Sequence, residues 1–396
     1  MKRVLEEFEK IYPDEKDVLT SFCPYRVCPL GAHSDHQLGV ISGFAISYGV
    51  HIAFVPTEDG SVYLHSMNVE GDHSFSLSKI PAIRYDWADY LRGATIALRN
   101  IRELNYGMKA VIMGTMPSGG LSSSAALIIS YLSALCRANG ILLTQREMID
   151  TALWAENRYV GVKCGKMDQS VEVLSEKDNL LFLDNRNDEY ELIPQNKNAE
   201  PYEIAIFFSG VERTLVGSAF NARVDEMKSA AYALKAFSGM EYSTFSESYL
   251  RDVPRVVFDK YKHKLPENWY KRAEHFYTEF DRVQEGKKQW KAGNLERFGK
   301  LIFESGKSSI ENYEAGSPEL KKLYRIMCET DGIYGGRFSG AGFKGCCMAI
   351  IDPSFKQSIE EKVEREYLDE FPALRGKFAT YFCTSADGCK LDEFTK

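Results

Sequence analysis

The sequence predicts an α+β protein built from two domains. Three features of the chain point there. At 396 residues it exceeds what one hydrophobic core usually serves. Short runs rich in β-branched and aromatic residues are mixed with amphipathic helical patterns. After Pro194 the composition turns polar (QNKNAEPY), which places a boundary near residue 200 and divides the chain into 1–200 and 201–396.

In chain order, residues 49–55 (GVHIAFV), 61–64 (SVYL) and 109–113 (KAVIM) read as strands. Residues 125–138 (AALIISYLSALCRA) carry almost no charge and read as a helix buried around most of its circumference. A second helix is expected at 146–159, followed by a loop containing GVKCGKMDQ. Residues 180–183 and 203–209 are further strands, and 221–236 and 269–290 are long amphipathic helices. Ser317 has the look of an N-cap with Pro318 at the first helical position. Leu320, Leu323, Tyr324 and Met327 follow at helical spacing, and Gly332 is expected to end that helix. A glycine-rich turn then leads into a strand, CCMAIID, and a charged helix at 355–371 closes the pattern. The second half therefore predicts a layered α+β unit with a small antiparallel sheet.

Composition excludes several classes. Hydrophobic residues are 44% and charged residues 27%, a globular balance rather than a disordered one. The net charge of −7 argues against non-specific binding to nucleic acid or anionic membranes, while leaving room for a local basic cleft. No run of eighteen apolar residues occurs, and the acidic start MKRVLEEFEK lacks the apolar stretch of a signal peptide. Nine scattered cysteines without a CxxC pair fit reduced thiols in a cytoplasmic enzyme. Cys346 and Cys347 are expected inside a buried strand rather than as a redox pair.

Four stretches carry candidate chemistry. In MPSGGLSSSAALIISYL (116–132) a strand enters a loop of small residues and then an apolar helix. Glycines allow close backbone approach, and a helix N-terminus offers unpaired N–H groups, a combination suited to phosphate. The stretch is neither a Walker A loop nor a GxSxG elbow. On these residues alone, a plain serine-capped helix explains it equally well. Glu156 on a helix and Asp168 on a glycine-bounded loop form a second stretch. Converging, one would bind Mg²⁺ and the other would take a proton from a hydroxyl. Cys164, Gly165 and Met167 are poor surface neighbours, which favours a buried site over two solvated carboxylates. The third stretch, GGRFSGAGFKG (335–345), has five glycines in eleven residues; close backbone approach or a tight turn both account for it. The fourth, PYRVCPLGAHSDH (24–36), clusters His33, Asp35 and His36, open to a metal or a pocket-wall reading. A Ca²⁺ loop at 184–195 is excluded, because Arg186 and Glu189 stand where a ligand oxygen and the turn glycine are needed.

Taken together, RVCPLGAHSDHQLG, AENRYVGVKCGKMDQ, PSGGLSSSAA and GGRFSGAGFKGC resemble the GHMP small-molecule kinases and, within them, the galactokinase branch. The resemblance runs from residue 26 to 346. It implies a GHMP kinase fold, with a ribosomal protein S5 domain 2-like N-terminal domain and a ferredoxin-like C-terminal domain. ATP and a sugar would lie in the cleft between them. By the same resemblance Asp168 matches the catalytic base and Arg26 its partner, a guanidinium that keeps the carboxylate ionised. Ser124 and Glu156 match Mg²⁺ ligands. Pro117, Gly119, Gly120, Leu121, Ser122, Ser123 and Ser124 match the phosphate cradle. His33 and Asp35 match ligands of sugar hydroxyls, which accounts for them without a metal and leaves His36 to packing. Cys164, Gly165, Phe220, Gly340 and Gly342 complete the surroundings of the sugar. The implied partners are ATP and a sugar or sugar acid, with no nucleic acid and no membrane, in a monomer or weak homo-oligomer.

Ala32 departs from the pattern, because galactokinases carry a glutamate there that holds the C6 hydroxyl. Facing a sugar acid, a glutamate would set two negative charges roughly 4 Å apart, costing about 4 kcal/mol at an effective dielectric near 20. CPLGAH is also similar to the galacturonate kinases of plants. A uronic acid, D-galacturonate foremost, phosphorylated at its anomeric hydroxyl is the expected substrate. Glucuronate and galactose stay open, because Phe220 stands where a tyrosine is usual. A non-catalytic sugar and ATP sensor also stays open. PSGGL is one residue shorter than the usual loop, so a slightly rebuilt cradle is expected. Arg213 and Arg223 are candidate partners for the sugar carboxylate, and residues 60–107 are expected to hold the adenine.

Overall fold

The computed structural model describes residues 1–211, 219–241 and 244–391. Its strands form two sheets. The first contains β1 (Leu19–Val27), β2 (Val40–Thr57), β3 (Ser61–Ser66), β4 (His73–Ser76), β5 (Gly107–Gly114), β6 (Asn179–Asp184) and β7 (Glu189–Pro194). Their order is β4-β3-β5-β2-β6-β7, with β1 also on β2. Only the β3–β5 pair is parallel among the described residues. The 18-residue β2 is the spine, pairing with β6 through its first residues and with β5 through its last. The second sheet contains β8 (Glu203–Phe208), β9 (Ile333–Phe338), β10 (Cys346–Ile351) and β11 (Ala379–Cys383), in the antiparallel order β11-β8-β10-β9. A last strand, β12 (Ser385–Ala386), returns to β2.

Successive strand side chains point to opposite faces, and the second sheet uses both. Cys346, Met348 and Ile350 join the large core of the first half, together with Ile204 and Ile206 of β8. Cys347, Ala349 and Ile351 join a second core beneath the C-terminal helices. A strand buried on both faces needs an unbroken apolar run, which CCMAII supplies. The adjacent cysteines are thus in a buried strand as expected, facing opposite cores. The described residues contain no helix long and apolar enough to cross a membrane.

Four local expectations change. The helix at Pro318–Cys328 has its predicted cap, with Ser317 Oγ accepting from the Leu320 N–H at 3.4 Å. It ends at Cys328, however, and Gly332 turns the chain four residues later at φ +82°. Residues 333–338, expected inside a glycine-rich turn, form β9. Gly335 lets the helix Leu295–Glu311 lie against that strand, since a Cβ there would sit 2.1 Å from the Gly299 carbonyl oxygen. The helix expected at 146–159 runs as Gln145–Trp154 and then a π-turn, Ala155–Val160. Asp168 lies in the first turn of a further helix, Met167–Leu174, rather than on a loop.

Candidate active site

The pairing of β1 with β2 shifts between Pro24 and Arg26, and such a bulge re-aims the side chain beside it. Arg26 is 2% exposed. Its Nε and Nη2 each lie 2.8 Å from Asp168 Oδ1, and its Nη1 donates to the Gly120 carbonyl at 3.0 Å. One guanidinium therefore ties together β1, the serine loop and the helix Met167–Leu174, and all three of its nitrogens are committed.

β5 leads through the serine loop into the helix Ser123–Ala138. Gly119 (φ +122°) and Gly120 (φ +88°) take conformations that favour glycine, and Ser122 adopts φ +58° despite its side chain. A non-glycine residue there carries about 1 kcal/mol of strain. Ser122 makes no capping bond, so the simple serine cap is not what is built. Its hydroxyl is buried without a partner among the described residues and opens, with Pro117, Ser123 and Ser124, onto a cavity of about 1020 Å³. The third glycine stretch lies on this loop: a Cβ on Gly119 would sit 3.1 Å from Gly345 Cα, and one on Gly340 would sit 3.0 Å from Gly120 Cα. The close approach its glycines predict is thus to the second loop. Leu121 points into the core and leaves its carbonyl to the Arg26 N–H. Gly342 faces Phe338 and Ala315, away from the cavity.

Glu156 sits in the π-turn, a feature frequent at functional sites. Its Oε1 accepts from Ser124 Oγ at 2.6 Å and its Oε2 from Gln169 Nε2 at 2.6 Å. Burial first, and Asp168 second, push its carboxyl up to about 7. Among the described residues no group of three or more His, Cys, Asp or Glu could hold a metal ion, His33, Asp35 and His36 included. Ser124 and Glu156 are an all-oxygen pair. They fit Mg²⁺, which keeps few protein ligands and completes its shell with water and phosphate.

The opposite wall is made of buried side chains. His33 adopts φ +62° and stacks on Tyr313 with ring centroids 3.9 Å apart. Its Nε2, like that of His36, is buried without a partner among the described residues. Asp35 Oδ2 accepts from the Met167 N–H at 3.3 Å, and burial with Asp168 pushes its carboxyl up to about 6. A Cβ on Gly165 would lie 2.4 Å from that oxygen, so Gly165 works by its smallness behind Asp35 and does not line the cavity. Cys164 and Phe220 do line it, with His36 edge-on to Phe220 at 5.9 Å. The Ala32 side chain stops short of the cavity, and its carbonyl accepts from His275 Nε2 at 3.0 Å. Tyr85, Trp87 and Tyr90 also line the cavity, from the region expected to hold adenine.

The sequence reading missed what supports this wall. Glu279, fully buried, accepts the Gly31 N–H at 2.7 Å and the Ser305 hydroxyl at 2.5 Å. Burial opposes its charge, but Arg282 and Arg337 outweigh it and hold the carboxyl at about 2. His275 and Glu279 stand four apart on one face of the helix Glu267–Ala292, the only trace either leaves in the sequence. Arg223, a candidate carboxylate partner, does not line the cavity: its Nη1 donates to Glu226 at 3.1 Å, and Glu314 lies 3.7 Å from Nη2. Arg213 lies outside the described residues.

Residues 89–176 match the family model of the GHMP kinases N terminal domain, and residues 287–369 that of GHMP kinases C terminal. The chain is 37% identical over 403 residues to galacturonokinase of Arabidopsis thaliana, spanning 96% of this chain and 94% of that protein. It is 31% identical over 386 residues to galactokinase of Roseiflexus sp. (strain RS-1), spanning 97% and 95%. The crystal structure of Lactococcus lactis galactokinase complexed with galactose superposes with a TM-score of 0.89 at 26% identity, over 98% of this chain and 99% of that one. The chain belongs to the GHMP kinase family, in its galactokinase branch.

Proposed function

We propose that this sugar kinase transfers a phosphoryl group from ATP to the anomeric hydroxyl of a uronic acid, D-galacturonate foremost, giving galacturonate 1-phosphate. Ala32 carries this reading: it removes a negative charge from the sugar wall, and the likeness to a plant galacturonokinase supports it. Asp168 takes the proton of the attacking hydroxyl. Arg26, held on Asp168 at 2.8 Å, orients that carboxylate and sets positive charge beside the oxygens that gain charge during transfer. The phosphates rest on the backbone N–H groups of the serine loop and the start of the helix behind it. Ser124 and Glu156 hold Mg²⁺, which neutralises phosphate charge when bound. His33 and Asp35 read the sugar hydroxyls: a wrong epimer leaves buried polar atoms unpaired, and the free Nε2 of His33 is such an atom. The chain divides near residue 200, the first part bearing the sugar and phosphate loops.

Phe220 favours a second, wider reading in which the choice between C4 epimers is relaxed and glucuronate is also used. An ADP-release screen of galacturonate, glucuronate, galactose and glucose tests both. Galacturonate is expected to give the highest kcat/KM. Galactose surpassing both uronates by a wide margin overturns the proposal, and no ATP consumption with any of them leaves a sugar and ATP sensor.

A further inference from the structure

Five carboxylates line the cavity: Asp35, Asp86, Asp89, Glu156 and Asp168. Asp86 and Asp89 are paired to Arg92, and Asp168 to Arg26. A triphosphate entering this space meets unfavourable charge unless a cation faces it. Three cationic side chains line the cavity: Arg3, Arg26 and Lys344. Arg26 is already held through its three nitrogens on Asp168 and the Gly120 carbonyl, so its charge is shared with that carboxylate. Arg3 comes from the helix Lys2–Ile11, which packs on β2 and β5 and belongs to neither glycine loop.

Lys344 is different. It is half-buried in the third glycine stretch and makes no ion pair with a described residue. The next residue, Gly345 (φ +99°), touches the serine loop backbone to backbone: a Cβ on it would lie 2.7 Å from the Gly119 carbonyl oxygen. Neighbouring Cα atoms are about 3.8 Å apart, so the Lys344 Cα is one step from the phosphate loop. We propose that Lys344 is a phosphate-binding residue, the cation that meets the phosphate chain of the nucleotide in the cleft. A lysine ammonium suits this as a compact point charge with three donors. The assignment needs the nucleotide and is independent of which sugar is used.

The test compares Lys344→Gln and Lys344→Arg with the wild-type chain. Calorimetry measures ADP and adenosine binding, and steady-state kinetics give KM for ATP, galacturonate and galactose. Lys344→Gln is expected to weaken ADP binding and raise KM for ATP about tenfold, with adenosine binding and both sugar KM values within twofold. Lys344→Arg recovers most of the loss. The proposal is overturned by an unchanged KM for ATP, or by equal weakening of ADP and adenosine, which marks a structural role. It is also overturned by a rise confined to the KM for galacturonate, which marks a residue that reads the sugar carboxylate.

Discussion

The two ends of the cavity, to which we assign the phosphates and the sugar, are built by different means. At the phosphate end the working groups are backbone and hydroxyls: Gly119 and Gly120 at positive φ, the unpartnered Ser122 hydroxyl, and a second glycine loop seated on the first. At the sugar end they are buried side chains, Asp35, His33 and His36, set by contacts from distant helices. Backbone geometry is dictated by neighbours in sequence. Side-chain burial is dictated by neighbours in space. Arg26 belongs to both ends, pairing with Asp168 and holding the Gly120 carbonyl.

Substitutions at each end separate these roles. The largest effect is expected at the junction: Asp168→Asn should lower kcat by about 10³ while calorimetry still detects sugar binding. Retention of activity within tenfold would remove Asp168 as the base. Next comes a pH effect on stability. Burial raises the Glu156 carboxyl from 4.5 to about 7. Between those values the folded protein keeps a proton that the unfolded chain has lost. Stability is therefore highest near pH 4.5 and falls as pH rises through about 7, by on the order of 3 kcal/mol for this group. Glu156→Gln should remove that decline, read by urea unfolding of both proteins at pH 5 and pH 8. An unchanged difference between them at the two pH values would mean the carboxyl is already ionised at pH 5.

A sharper test of the sugar end is Ala32→Glu, which restores a carboxylate to that wall. It is expected to lower kcat/KM for galacturonate roughly 100-fold, part of the about 4 kcal/mol repulsion between like charges at about 4 Å, and to change galactose use by only a few-fold. Equal losses on both sugars would break the link between Ala32 and the acid. The smallest effects distinguish the ends by KM. Gly119→Ala strains a φ of +122° and should raise KM for ATP about tenfold. Gly165→Ala displaces Asp35 and should raise KM for the sugar by a similar factor, each leaving the other KM near wild type. A shared loss in both constants would show that the two ends move together.

Much of this was legible in the chain. The strands at 49–55 and 109–113 and the buried helix after the serine loop follow from pattern, as does the cap at Ser317. The serine loop was legible because its glycines and serines are consecutive. Asp168 was visible as a candidate, but its seat on a helix was not, because GVKCGKMDQ reads as a loop until Met167–Leu174 packs beneath Arg26. Glu279 and His275 were invisible as site supports: the partners they hold, Gly31 and Ala32, are 248 and 243 residues away. The return of β12 to β2 left no signal, since a two-residue strand has no periodicity of its own.

The sequence by itself determined the conformations that only glycine or a strained residue adopts, the apolar run that buries β10 on both faces, and the absence of charge at Ala32. These are local properties, set by sterics and side-chain chemistry within a few residues. The tertiary structure decided which groups share a site. It brought Arg26 onto Asp168 across 142 residues, set the two glycine loops against each other, and left Lys344 facing the cavity without a described counter-ion. Burial and electrostatic pairing depend on distance in space, and only the folded core fixes that distance.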